Sequence, residues 1–199
     1  MRAEVERDMR RSQSAFQLHV WPALSLHIGG GRVVSMEASA DKELRTLFDL
    51  SSGIDAWQAI DGCGMYGIAS RVQPSGHDWS TFTVRKSRHS GAKTEWAKLR
   101  EAVFSDDSRV YPKWFVQAYT SKDGSRLISC AAVKTAELVS HIDWFCQDEH
   151  DTRDTNNATF WIVGWDKPAR HGGHHLAESS SSLVVIRNQQ QEATDGTHP

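Results

Sequence analysis

The stretch Gly53–Lys86, GIDAWQAIDGCGMYGIASRVQPSGHDWSTFTVRK, is the densest strand signal in the chain. Ile54, Ala56, Gln58 and Ile60 alternate with Asp55, Trp57 and Ala59. A period of two belongs to a strand, because successive side chains on a pleated backbone point to opposite faces. Asp61-Gly62, with Gly64 close behind, is a turn signal. Met65 to Gln73 follows, with Met65, Gly67, Ala69, Arg71 and Gln73 on one face and Tyr66, Ile68, Ser70 and Val72 on the other. Pro74-Ser75-Gly76 ends this run, since proline cannot donate to a central ladder. Thr81 to Lys86 is rich in β-branched residues and reads as a third strand. The stretch is therefore expected to be a meander of three antiparallel strands.

Upstream, residues 1–14 are charged and read as an N-terminal arm or short helix. Phe16 to Ile28 is apolar with mixed period, and Pro22 is expected to break it into two short segments, edge strand or loop. Gly29-Gly30-Gly31 is a turn; it lacks the lysine and spacing of a phosphate loop. Arg32 to Met36 is a strand candidate. Ser39 is placed to cap a helix from Asp41 to about Leu50, with Asp41 and Glu43 in its first turn.

Downstream, Arg85, Lys86, Arg88, His89 and Lys93 crowd a basic loop. Thr94 caps an amphipathic helix to Phe104, with Trp96, Leu99 and Val103 on one side. Trp114–Thr120 and Leu127–Lys134 read as a hairpin across Lys122-Asp123-Gly124, the second strand apolar on both faces and therefore central. A helix follows from Thr135 to about Cys146, then a polar loop over 147–157 and a strand from Thr159 to Trp165. From residue 169 the composition turns to histidine, serine and glutamine, a low-complexity tail in which Ser182–Ile186 can still dock as an edge strand. The expectation is one α/β or α+β domain over 15–168, with a mixed sheet of about five to seven strands and flanking helices.

The chain has 199 residues, enough for one core, to which eight Trp and seven Phe add bulk. Its formal net charge of −2 gives no global field that would draw in nucleic acid or anionic lipid, although local patches remain open. It lacks an apolar run of about 18 residues, so no membrane contact is expected. Three cysteines without motif spacing, behind a start with no apolar signal core, read as reduced thiols in the cytoplasm.

A helix, three antiparallel strands, a helix and further strands, with Asp55 on the first of those strands, resemble the PD-(D/E)XK nuclease superfamily, the restriction-endonuclease-like fold. The resemblance spans about Lys42 to Lys134. It implies a strand aspartate and an acidic-x-lysine pair holding Mg2+ or Mn2+ against a phosphodiester. Asp55 would be the metal ligand, Glu43 the helix acid, and Asp49 a further carboxylate. The strand Met65–Gln73 departs from the pattern. It carries no carboxylate, offers Arg71 and Gln73 instead, and has Ser75 where the lysine would stand. Gln replaces the acid in some members, so Gln73 is read as a weak second ligand. Arg71 or Lys86 would stabilise phosphate charge. Hard divalent ions prefer carboxylate oxygens, so the alternative is a module on the same fold that binds without cutting. It would hold nucleic acid or a protein through Arg71, Lys86, Arg88 and Lys93, with Trp79 and Trp96 nearby for stacking. A third reading is a protein inhibitor or assembly factor working through exposed Trp. His171, His174 and His175, with His141, Asp143 and His150 upstream, form a second constellation with possible metal-ligating side chains but no helical i, i+4 pair.

Overall fold

In the computed structural model, Ala56–Ile60 (β2) pairs antiparallel with Gly64–Gln73 (β3), Trp57 facing Gly67 and Gln58 facing Tyr66. The residues described are 10–35, 53–105, 111–146, 152–154, 158–168 and 183–188. Arg32–Ser35 (β1) lies antiparallel on the other side of β2. An N-terminal meander of three antiparallel strands is present, but it consists of β1, β2 and β3. The expected third strand forms, as Thr81–Arg88 (β4), and leaves for a second sheet.

The departure has a local cause. Pro74 ends β3, and the Gly76 N–H donates to Thr120 O, which holds the connection against the neighbouring strand. Ser80 then adopts φ +47, with its N–H and hydroxyl both donating to Asp78 Oδ1. A non-glycine residue in that region marks a forced change of direction. The vacated side of β3 is taken by Pro112–Thr120 (β5) in parallel register, Arg71 beside Gln117 and Gln73 beside Tyr119. Parallel neighbours need a long crossover, and the chain between β3 and β5 supplies β4 and the helix Glu95–Phe104 (α2).

Leu127–Lys134 (β6) returns antiparallel to β5, and Thr135–Phe145 (α3) follows it directly. Thr152–Asp154 (β7), within a stretch read as loop, and Ala158–Gly164 (β8) join β4 in the second sheet. Leu183–Arg187 (β9) docks on β6 as the edge strand foreseen from its apolar run. The first sheet thus runs β1-β2-β3-β5-β6-β9 and the second β4-β8-β7. The fold is a mixed α/β body in which both sheets share one core.

Residues 10–28 are helical (α1), beginning inside the charged arm and running through Pro22. The expected break does not occur, because Phe16–Val20 is a π-helical turn and the Trp21 N–H reaches back to Phe16 O. A widened turn just before a proline leaves room for its ring and absorbs its missing donor. A 3-10 turn, Ser25–Ile28, and the left-handed Gly29 at φ +102 close the helix. The buried Gln58 then donates Nε2 to Ile28 O and Gly30 O, pairing carbonyls at the helix end.

The first sheet has two covered faces. One, with Ile68, Val116 and Cys130, packs under Phe16, Val20 and Leu24 of α1. The other, with Ala69, Phe115 and Val133, packs against Phe82 and Val84 of β4, Trp161 and Val163 of β8, and Leu138 and Ile142 of α3. β6 is buried on both faces for this reason, as its uninterrupted apolar sequence foretold. α2 starts at Thr94, whose hydroxyl accepts from the Ala97 N–H at 3.4 Å. The helix expected over 41–50 lies outside the described residues. No helix among the described residues is long and apolar enough to cross a membrane.

Candidate nucleic-acid interface

β4 is an edge strand of its sheet, and its outer edge is sealed by side chains rather than by another strand. The Thr83 N–H donates to Gln117 Oε1 at 3.3 Å, and Thr83 O accepts from Arg71 Nη1 at 2.9 Å. The Arg85 N–H donates to Glu95 Oε2 at 3.1 Å, and Lys86 O accepts from the Thr94 hydroxyl at 3.1 Å. Unpaired edge groups invite another chain, so side chains aimed at them are a protective device. Gln73 Nε2 adds a long contact of 3.5 Å to Thr83 Oγ1, which itself donates to Gln117 Oε1 at 3.0 Å.

The same residues assemble a cationic cluster. Arg71 sits 4.7 Å from the Phe160 ring centroid and Arg85 5.4 Å from it. Lys86 lies 4.2 Å from the Trp161 centroid. Phe160 faces Arg85 across the β4–β8 ladder, and the bulge between Arg85 and Ser87 leaves Lys86 as the extra residue. A bulge re-aims side chains, and here it sends neighbouring cations toward two different rings. Glu95 forms an ion pair with Arg71 at 3.5 Å. Burial, followed by the charges of Arg71 and Arg88, pushes the Arg85 guanidinium below its usual pKa, while Glu95 opposes the shift. Half-buried, that guanidinium has no hydrogen-bond acceptor among the described residues. Arg88 is exposed and likewise makes no ion pair among them. Arg71, Arg85 and Arg88 thus lie close to one another, with the Glu95 carboxylate beside them.

Each expected site residue has a place. Arg71 and Gln73 converge on Thr83 from β3. Lys86 and Arg88 belong to β4, while Lys93 stands beyond it, ion-paired with Glu101. Asp55 precedes β2 and its register puts it level with Ala69, on the parity of Arg71. Its Oδ2 accepts the Ser70 N–H at 2.7 Å. Trp96 packs edge-to-face on Trp161, close to the cluster. Trp79 is not brought there, since it precedes β4 at the end away from Arg88, about 25 Å along an eight-residue strand. Glu43, Asp49, His150, His171, His174 and His175 lie outside the described residues. His141 is buried, and Asp143 pairs with Arg100 at 2.5 Å.

No three His, Cys, Asp or Glu side chains among the described residues gather in a way that could hold a metal ion. Asp55 already serves a backbone N–H, and β3 contributes an amide and a guanidinium. Among the described residues that donor set offers fewer oxygens than the several carboxylate or carbonyl ligands Mg2+ or Mn2+ take; Glu43 and Asp49 lie outside them.

Reading by local pattern overlooked Glu95 and Phe160 and gave Arg85 no role of its own. Glu95 fell within the expected helix from Thr94 and Phe160 within the expected strand Thr159–Trp165, neither singled out. Neither has a signal in its own neighbourhood, because each meets the arginines across long sequence gaps. Compared with known proteins, the chain matches no family model, no curated protein and no solved structure.

Proposed function

We propose that this chain is a module that binds the backbone of a nucleic acid through β4 and the basic loop after it. The observation that carries the reading is the half-buried Arg85 guanidinium, with no acceptor among the described residues, beside Arg71, Arg88 and the Glu95 carboxylate. A guanidinium removed from water needs an acceptor, and the planar fork of arginine suits phosphate oxygens. Lys86 and Arg88 extend the positive strip, so the ligand is a polyanion rather than one small anion. Cleavage would ask for a metal at Asp55, and the donor set there does not favour one.

The test is fluorescence anisotropy with labelled single- and double-stranded DNA and RNA at about 50 mM salt, where phosphate contacts are strong. Arg85→Ala is expected to weaken binding about tenfold and Arg88→Ala about threefold, each flattening the salt dependence by about one phosphate contact. No retention of any of these nucleic acids at that salt refutes the reading. Parallel incubations with Mg2+ and Mn2+ address the enzyme: metal-dependent cutting that Asp55→Asn abolishes would replace binding with catalysis. One observation favours a protein partner instead, the exposure of Trp79 and Trp144 at 56% and 62%. Exposed tryptophans are typical anchors of protein interfaces.

A further inference from the structure

The carboxylate of Glu95 stands where an acceptor is most needed. A single oxygen, Oε2, receives the Arg85 N–H at 3.1 Å and Arg71 Nη1 at 3.5 Å. Charge-assisted bonds close to about 2.7–2.9 Å when unshared, so the contact to Arg71 is a stretched one. The neighbouring Arg85 guanidinium finds no acceptor among the described residues. One carboxylate is therefore divided among more donors than its geometry satisfies. A phosphate offers more acceptor oxygens around one centre, in an arrangement that a backbone N–H and two guanidinium forks can share.

We infer that the Glu95 carboxylate holds, in the free protein, the position taken by one phosphate of a bound nucleic acid, and swings out when that phosphate arrives. This rests on the binding reading above and adds a specific occupant and a specific exchange. Two features make the exchange feasible. The Glu95 side chain is 24% exposed, so it has a route to water. Thr94 caps α2 through its own hydroxyl, so the helix start does not depend on where Glu95 points. The exchange replaces one carboxylate charge with a phosphate group, so the net gain at this point is small. Carboxylate ligands, which merely duplicate Glu95, gain nothing there. Phosphate esters gain acceptor oxygens for Arg85.

The test compares the wild type, Glu95→Gln and Glu101→Gln in anisotropy titrations with the oligonucleotides bound by the wild type, after thermal melts establish that each variant folds. Glu101 lies on the same helix in an exposed pair with Lys93, so its neutralisation measures the general effect of one fewer negative charge. Glu95→Gln is expected to bind about fivefold more tightly than Glu101→Gln, with a salt slope steeper by about one phosphate contact. The gain should vanish when Arg85→Ala is added, since Arg85 is the group the phosphate satisfies. Glu95→Gln equal to or weaker than Glu101→Gln, while the wild type still binds, overturns the exchange and leaves the binding reading intact. No binding by any variant overturns both.

Discussion

Replacing Arg71 with alanine should destabilise the fold, and its size follows from three contacts. The Arg71 side chain is 19% exposed and bridges the two sheets. Its hydrogen bond to Thr83 O is made by a charged donor, and removal leaves a buried carbonyl unpaired, about 1.5–3 kcal/mol. Its stacking on Phe160 is worth about 0.5–1 kcal/mol. The stretched, partly exposed pair with Glu95 adds no more than about 1 kcal/mol. Against these, Arg85 loses a neighbouring cation, a relief of about 0.5–1 kcal/mol on the scale of surface charge pairs. The net expectation is a loss of about 2–4 kcal/mol, or about 5–15 °C in melting temperature for a chain of this size. Urea melts followed by tryptophan fluorescence read it well, because Trp161 and Trp165 lie in the core between the sheets. The midpoint should fall with an unchanged slope, which would indicate lost stability rather than altered compactness. Arg71→Lys should fall between, since it keeps a charge but loses the planar stack. Arg88→Ala, exposed and unpaired among the described residues, should stay within about 0.5 kcal/mol. An Arg71→Ala midpoint equal to that of Arg88→Ala would refute the view that Arg71 clamps the β4 edge. The same calculation explains why binding is better tested at Arg85 and Arg88: a loss of affinity in Arg71→Ala would mix folding with recognition.

Two further perturbations test the fold itself. Gly31 has φ +84, and a Cβ there would come within 2.2 Å of Ala59 O, whereas Gly30, at φ +70, would meet nothing within 4 Å. Gly31→Ala should therefore cost about 3 kcal/mol or more in a urea melt and Gly30→Ala only about 1–2, and equal losses would remove the close approach of β1 to β2 from the explanation. Tyr119 is a buried phenol that donates to Thr81 O at 2.8 Å, and burial raises its pKa above the usual value of about 10. A folded pKa raised above the unfolded one gives stability that is full below about pH 10 and lost as pH rises toward the folded value. Absorbance at 295 nm should show one late-ionising tyrosine, and Tyr119→Phe should remove that part of the alkaline loss. A titration in which Tyr119→Phe leaves the late step in place counts against it.

The elements that were legible in the sequence are those whose cause is local. Thr94 before Glu95-Trp96-Ala97 is a cap because its hydroxyl reaches three residues on, and it does so here. Leu127–Lys134 is apolar throughout because layers cover it on both sides. The alternation in β2 and β3 placed Arg71 and Gln73 on one face, and both reach the same threonine. What was not legible depended on which partner an element meets. Thr81–Arg88 has strand composition, but no residue within it says that β5 rather than β4 will lie beside β3. Pro22 reads as a breaker because proline usually is one, and only the π turn before it lets the helix continue. Thr152–Asp154 has no strand composition and pairs because β8 offers it an edge. The candidate site divides in the same way: the basic run was visible as charge, while Glu95 and Phe160 acquired meaning only from the arginines that fold against them.

The position of the cationic cluster follows from the way β4 is protected. A strand that leaves its expected sheet exposes one row of backbone donors and acceptors. Covering a carbonyl on that row takes a donor, supplied by Arg71, and covering an N–H takes an acceptor, supplied by Glu95 and Gln117. Arg85 and Lys86 sit on the strand being covered, so each charge brought in to seal the edge arrives beside charges already there. A neutral donor in place of Arg71 would have sealed Thr83 O equally well without crowding Arg85. Choosing a guanidinium adds repulsion toward Arg85, set against its stack on Phe160 and its stretched pair with Glu95. Such local conflicts are where functional sites are expected. The excess of charge over structural need is therefore the strongest reason to look for an anion at this edge, and it predicts that a bound polyphosphate backbone stabilises the folded wild type more than the Arg85→Ala variant in a thermal melt.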